Sequence, residues 1–259
     1  MKFSIITCTY NSDKWILKNI KSVCEQSFKD YEHIFIDGFS KDNTLDIIND
    51  YRNNYPDKVR LFNLSPSGIS GAMNEGIKKS SGDYLIHLHS DDSFFDNKVL
   101  EDVANFLDSA SVDWIYGKIN VVEESGLKVG VFPEKKIFQQ NYKSKIGNYF
   151  LKFFNFIPHQ AVFIKKTVFD KYGYFDNQLS SSMDPDMWLR IRTKTKWCFY
   201  DRIISNYCLR SSSVSASVNN KLSNKNNFEL VQHRFMNSIE KKVAKFVNFL
   251  VQKRNKNYR

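Results

Sequence analysis

Residues 83–92 read Asp-Tyr-Leu-Ile-His-Leu-His-Ser-Asp-Asp. A short apolar run of this kind predicts a buried strand over 83–89, and two adjacent carboxylates follow directly after it. Upstream, residues 3–9 are compact and apolar, and Asp13 is placed to cap a helix through Trp15, Ile16, Ile20 and Val23. Residues 31–37 predict a second strand ending on Asp37, and Asp42 a cap for a helix carrying Leu45, Ile47, Ile48 and Tyr51. Residues 59–63 predict a third strand. A loop with Pro66, Gly68 and Gly71 then leads to a helix over 72–79. Downstream, residues 99–107 predict a helix and 113–116 a strand. Strand and helix alternating over short links predict an α/β fold, a mostly parallel central sheet flanked by helices. In such sheets ligands bind beyond the carboxyl ends of the strands, where Asp37 and the Asp91-Asp92 pair both fall.

The pattern loosens after Gly117. Residues 121–145 read as irregular or as short antiparallel strands, and 149–157 as a short apolar stretch. A strand is expected over 159–164, with helices over 168–172 and 184–192, and a serine-rich loop over 211–217. Apolar residues at 228, 231, 235, 239, 243, 246, 247 and 250 have helical spacing. The expected organisation is one domain over 1–220, in two parts, 1–120 and 121–220. A basic amphipathic helical tail over 221–259 follows it.

With 42% hydrophobic and 25% charged residues, the chain has the composition of a globular protein with a real core. Its net charge of +10 invites an anionic partner. Residues 234–259 hold eight basic residues against Glu240 alone, so much of that charge sits in the tail. No nucleic-acid motif accompanies it, and no GxGxxG follows a strand, which disfavours nucleic acid and nicotinamide cofactors. Four cysteines without zinc spacing predict reduced thiols and a cytoplasmic protein. No apolar run reaches the roughly 18 residues of a membrane span.

Two residue groups carry chemistry on their own terms. Asp91 and Asp92 suit a hard cation such as Mg²⁺ or Mn²⁺ shared with substrate phosphates, or equally the start of a helix. Asp37, ending an interior strand beside Thr7, Thr9, Tyr10 and Asn11, suits a nucleoside or a turn rich in capping residues.

Taken together, Thr7-x-Thr9-Tyr10-Asn11, Asp37-Gly-x-Ser40-x-Asp42-x-Thr44, Gly68-Ile-x-x-Ala72-Met73-Asn74-x-Gly76-Ile77 and Gly82-Asp83-Tyr84 leading to Ser90-Asp91-Asp92 resemble the donor half of family 2 glycosyltransferases. The resemblance covers roughly the first 120 residues. It implies a GT-A fold and inverting transfer of a sugar from a nucleoside-diphosphate donor, most simply a UDP-sugar. Thr9, Asn11 and Asp37 would contact base and ribose, in a donor site that takes in Thr7, Tyr10, Ser40, Asn74 and Asp91. Asp92, supported by Asp91, would hold the divalent metal. Pro158-His159-Gln160 and Met183-Asp184-Pro185-Asp186-Met187-Trp188-Leu189-Arg190 are similar to the acceptor side, with Asp184 as catalytic base and Asp186 as the alternative. His159, Gln160, Trp188 and Arg190 would contact acceptor or diphosphate. The chain departs from the family at Met183, where Glu is usual, and at Gly71, where Asp is frequent.

Resemblance to surface-polysaccharide enzymes (O-antigen and capsule assembly) implies a polyprenyl-linked saccharide acceptor and peripheral attachment to the inner face of the cell membrane. The basic tail would bind anionic lipid or pack on the domain. A non-catalytic nucleotide-sugar-binding scaffold and a nucleotidyltransferase stand as the alternative readings.

Overall fold

The computed structural model describes residues 1–65, 68–210 and 218–245. Pro66, the serine-rich loop 211–217 and the stripe residues Phe246, Val247 and Leu250 lie outside them.

The elements run β1 (Phe3–Thr9), α1 (Asp13–Cys24), β2 (Tyr31–Asp37), α2 (Thr44–Asn54), β3 (Val59–Asn63), α3 (Gly68–Lys79), β4 (Tyr84–His87), β5 (Ser93–Phe94) and α4 (Val99–Ser109). After them come β6 (Trp114–Glu123), β7 (Lys128–Phe132), α5 (Lys145–Phe150), β8 (Val162–Lys165), α6 (Lys166–Tyr172), α7 (Met183–Ile191), β9 (Trp197–Leu209) and α8 (Val218–Phe235). One sheet orders the strands β3-β2-β1-β4-β8-β6-β9-β5, with β7 beside β6. The β3-β2-β1-β4 half is parallel, and β8 joins antiparallel to β4 and β6. The expected mostly parallel donor half and mixed second half are both present.

Period-two alternation divides β1 between the layers. Ile6 and Cys8 enter a core with Met73, Trp114 and Trp188, while Phe3 and Ile5 enter another with Leu100, Val103 and Phe163. Helix α3 lies close on β1 because residue 76 is glycine. A Cβ there would stand 2.3 Å from Ile6 Cγ2.

Several expectations change in detail. Asp13 lies in the first turn of α1 rather than capping it, and its N–H donates to Asp42 instead. Residues 121–145 are more regular than their pattern suggests, because β6 continues to Glu123 and pairs with β7. The 13-residue β9 has a largely half-buried pattern, so neither a two- nor a three-to-four-residue period stands out in its sequence.

The C-terminal stripe is not one helix. Chain regularity stops at Met236 and Asn237, and residues 238–245 begin a new helix. Asn237 Oδ1 accepts from the Ile239 and Glu240 N–H groups, and Glu240 accepts from the Asn237 N–H in return. This reciprocal capping box at Asn237-Ser-Ile-Glu240 starts a helix where apolar spacing alone predicts continuity. Val231 is fully buried, and Gln232 donates to the Lys152 carbonyl, so the described part of the tail packs on the domain.

Candidate active site

The turn after β4 is held from several sides. Asn19 Nδ2, from α1, donates to the carbonyls of His89 and Asp92 at 2.9 and 3.1 Å. The Asp92 N–H donates to His89 O, and Ser90 donates to Ser12 Oγ at 3.1 Å. Asp91 and Asp92 leave this turn in different environments. Asp91 meets Arg210 Nη2 at 2.7 Å, at the end of β9. Asp92 is 1% exposed; one oxygen accepts from the Cys208 N–H at 3.2 Å and the other has no partner. Burial, and then the neighbouring charge of Asp91, push the Asp92 carboxyl well above the usual range. A buried carboxylate oxygen lacking a donor needs a cation or a proton. The pair therefore fits a hard divalent ion with two carboxylates and substrate oxygens as ligands. Among the described residues no group of three or more His, Cys, Asp or Glu side chains forms a closed metal cage.

Across the pocket, α7 presents Asp184 in its first turn, 3.6 Å from His159 Nδ1. His159 Nε2 lies 2.9 Å from His89 Nε2. The line Asp184–His159–His89 thus runs from α7 to the base of the acidic turn. Burial holds the His89 imidazole well below its ordinary pKa, with the His159 and His87 rings adding to the effect. His87, buried behind them, is pushed down to about 3 by burial. Both rings are consequently neutral at pH 7. Asp184, His159, His89, Asp91, Asp92, Gln160 and Arg210 share the walls of a cavity of about 560 Å³ with Met73, Ile157 and Tyr207.

The residues around Asp37 are knit together. Asp37 is fully buried and accepts from Thr9 Oγ1 (2.8 Å), Ser40 Oγ (2.6 Å) and the Ser40 N–H (2.8 Å). Ser40 Oγ accepts from the Asn11 N–H, and Asn11 Oδ1 from the Lys41 N–H. The Tyr10 ring is 63% exposed beside them, open to a planar ligand. Asn11, Phe39 and Ser182 have φ of 49°, 61° and 65°. These are costly conformations for residues with a Cβ, and they sit in the loops that carry the Asp37 network and Asp184.

Some sequence-predicted residues do other work. Thr7 is fully buried and donates to Leu88 O at 2.7 Å, so its hydroxyl is spent inside the sheet. Asn74 brackets Phe175, accepting from its N–H and donating to its carbonyl, which ties α3 to the segment before α7. Trp188 stacks on Trp114 at 5.3 Å in the core, away from the cavity. Arg190 is engaged with Asp186 at 2.8 Å and with the carbonyls of Tyr172 and Tyr174. Asp186 also meets Arg234 at 3.0 Å and is 2% exposed, so both its oxygens are committed to structure. Met183, in place of the usual acid, is buried in the core, and Gly71 is buried on α3. Arg210 escapes a motif reading because it belongs to no spaced pattern, whereas His87 and His89 alternate visibly on their strand without showing that His89 meets His159.

Comparison with known proteins agrees with this geometry. The model of the family described as Glycosyl transferase family 2 matches residues 4–173. The poly(ribitol-phosphate) beta-N-acetylglucosaminyltransferase TarS of Staphylococcus aureus is 32% identical over 136 residues, 52% of this chain and 24% of TarS. The chain thus spans about a quarter of that relative's length. A PGL/p-HBAD biosynthesis glycosyltransferase of Mycobacterium tuberculosis is 28% identical over 209 residues, 80% of this chain and 71% of that protein. The fold is shared with S. aureus TarS 1–349 in complex with UDP-GlcNAc, at TM-score 0.70 and 21% identity over 89% of this chain and 65% of that one. It is shared too with the mannosyltransferase PcManGT of Pyrobaculum calidifontis, in complex with GDP-Man and Mn²⁺. There the TM-score is 0.65 and the identity 13% over 91% of this chain and 65% of that one.

Proposed function

Because the chain belongs to glycosyl transferase family 2, we propose that it transfers a sugar, with inversion, from a nucleoside-diphosphate donor to a saccharide acceptor. The observation that supports this most is the shared cavity, with the under-partnered Asp91-Asp92 turn on one wall and Asp184 on another. An inverting displacement forms a bond from the acceptor oxygen to the anomeric carbon as the bond to diphosphate breaks on the opposite face. Asp184 takes the acceptor proton during attack. His159 orients that carboxylate, and Gln160 lines the acceptor side beside it. Asp92, with Asp91, would hold Mn²⁺ or Mg²⁺, whose chemistry when bound is to offset charge on the departing diphosphate. The Asp37–Thr9–Ser40–Asn11 network shapes the nucleoside side, with Tyr10 available for stacking on the base.

A UDP-sugar is the preferred donor, since the TarS relative is a beta-N-acetylglucosaminyltransferase and its homologous fold holds UDP-GlcNAc. A panel of UDP-, GDP- and TDP-sugars with Mn²⁺ tests this. Turnover of one UDP-sugar is expected. Tight donor binding without turnover of any would leave a non-catalytic nucleotide-sugar binder.

We also propose that the acceptor is a lipid-linked saccharide for a surface polymer, met at the inner face of the membrane. The relative named for poly(ribitol-phosphate) supports the polymer part of this reading. No helix among the described residues is long and apolar enough to cross a membrane. Ile146 and Tyr149 on α5 are exposed, as are Ile239 and Val243 in the helix that begins at residue 238, and Lys242 and Lys245 belong to that same helix. The Lys152–Glu240 ion pair joins the two segments. Removing the chain from Phe228 onward would take the fully buried Val231 out of the core, so a milder test is required. The Ile239→Asp/Val243→Asp double variant is expected to lose co-sedimentation with phosphatidylglycerol vesicles, and co-sedimentation as strong as that of the natural chain would refute membrane docking.

A further inference from the structure

Arg210 stands against the acidic turn in a way the catalytic reading does not use. Its Nη2 meets Asp91 at 2.7 Å, and its guanidinium lies 5.2 Å over the Trp15 ring. The cavity that holds Asp91, Asp92 and Asp184 is lined by Arg210 as well. Side-chain exposure is 23% for Arg210 and 12% for Asp91, so the pair faces the cavity and is not sealed in the core.

We propose that Arg210 is the resident counter-cation of the Asp91-Asp92 turn, displaced from Asp91 when a divalent ion and a nucleoside diphosphate arrive, and then bound to the diphosphate. This rests on the donor-site reading above. A divalent ion held by an Asp91 oxygen would crowd a double positive charge against a guanidinium already holding that carboxylate. The two cations therefore compete for Asp91. A diphosphate removes the conflict, because it carries acceptor oxygens for both, and the planar guanidinium fork suits phosphate as well as carboxylate. Trp15 supplies an aromatic face on which the guanidinium can rest in either position. Metal and donor binding are then coupled through one side chain, and each favours the other.

The test measures Mn²⁺ binding without nucleotide by electron paramagnetic resonance, and UDP binding without metal by calorimetry. It uses the natural chain, Arg210→Gln and Arg210→Lys, with circular dichroism confirming that each is folded. Arg210→Gln is expected to bind Mn²⁺ about 10-fold more tightly and UDP about 10-fold more weakly, opposite signs that simple damage to the site would not produce. The gain in Mn²⁺ affinity caused by UDP should also shrink in that variant. Arg210→Lys keeps a cation but not the fork, so Mn²⁺ affinity should stay near that of the natural chain while UDP affinity falls about 3-fold. Unchanged or weaker Mn²⁺ binding by Arg210→Gln overturns the inference even if UDP binding falls, as does UDP binding by Arg210→Lys equal to that of the natural chain. Failure of the natural chain to bind either Mn²⁺ or UDP would overturn the donor-site reading itself.

Discussion

Asp184→Asn is expected to lower sugar transfer by on the order of 10²–10⁴-fold while leaving UDP affinity and thermal stability near those of the natural chain. The amide keeps the size of the side chain but cannot take a proton from the acceptor hydroxyl. Asp184 carries no structural ion pair to an arginine or lysine among the described residues; the basic group nearest its carboxylate is His159 Nδ1 at 3.6 Å. Little of the fold should therefore respond. The measurement is steady-state transfer with the donor identified by the panel, alongside calorimetric UDP binding and a thermal melt. Activity retained within a few-fold would remove Asp184 as the base. Loss of UDP binding in parallel with activity would instead show a damaged donor site.

Two residues along the same helix, the expected result is the reverse. Asp186→Ala should destabilise the folded chain by about 3 kcal/mol, because it leaves the half-buried Arg190 guanidinium without its carboxylate. Arg234, the other partner, is 43% exposed, and solvent screening makes its share of the loss small. Urea unfolding monitored by fluorescence measures this. The molecules that remain folded should bind UDP as the natural chain does. A stability change within about 0.5 kcal/mol, with transfer abolished, would assign Asp186 to chemistry and not to structure. Replacing both Asp186 and Arg190 by apolar residues of similar volume should recover much of the lost stability, since no buried charge is then left alone.

The division between these two acids shows where sequence reading stops. Asp184 and Asp186 both sit in the first turn of a helix, and each is an acid of the right type at a motif position. Their separation into a cavity-facing carboxylate and a structural one depends on which arginines approach. Arg234 comes from a helix that the apolar spacing identifies without indicating where it packs. Asn74 and Trp188 illustrate the same limit. Both occupy motif positions, yet one ties α3 to the segment at Phe175 and the other stacks on Trp114.

The alternation of strands and helices, the parallel first half of the sheet, and the placement of Asp37, Asp91 and Asp92 at strand carboxyl ends are legible in the residues alone. These follow from local periodicity and from the chemistry of residues adjacent in the chain, which short segments carry in full. Asn237-Ser-Ile-Glu240 was readable by the same logic, as a capping box that divides one apolar stripe into two helices. Which charges meet is visible only in the folded chain. The approach of Arg210 to Asp91, the His89–His159–Asp184 line and the bracketing of Asp186 by two arginines join residues from distant parts of the chain. No local spacing encodes such pairs, because they are set by how β9, α7 and α8 close over the sheet edge.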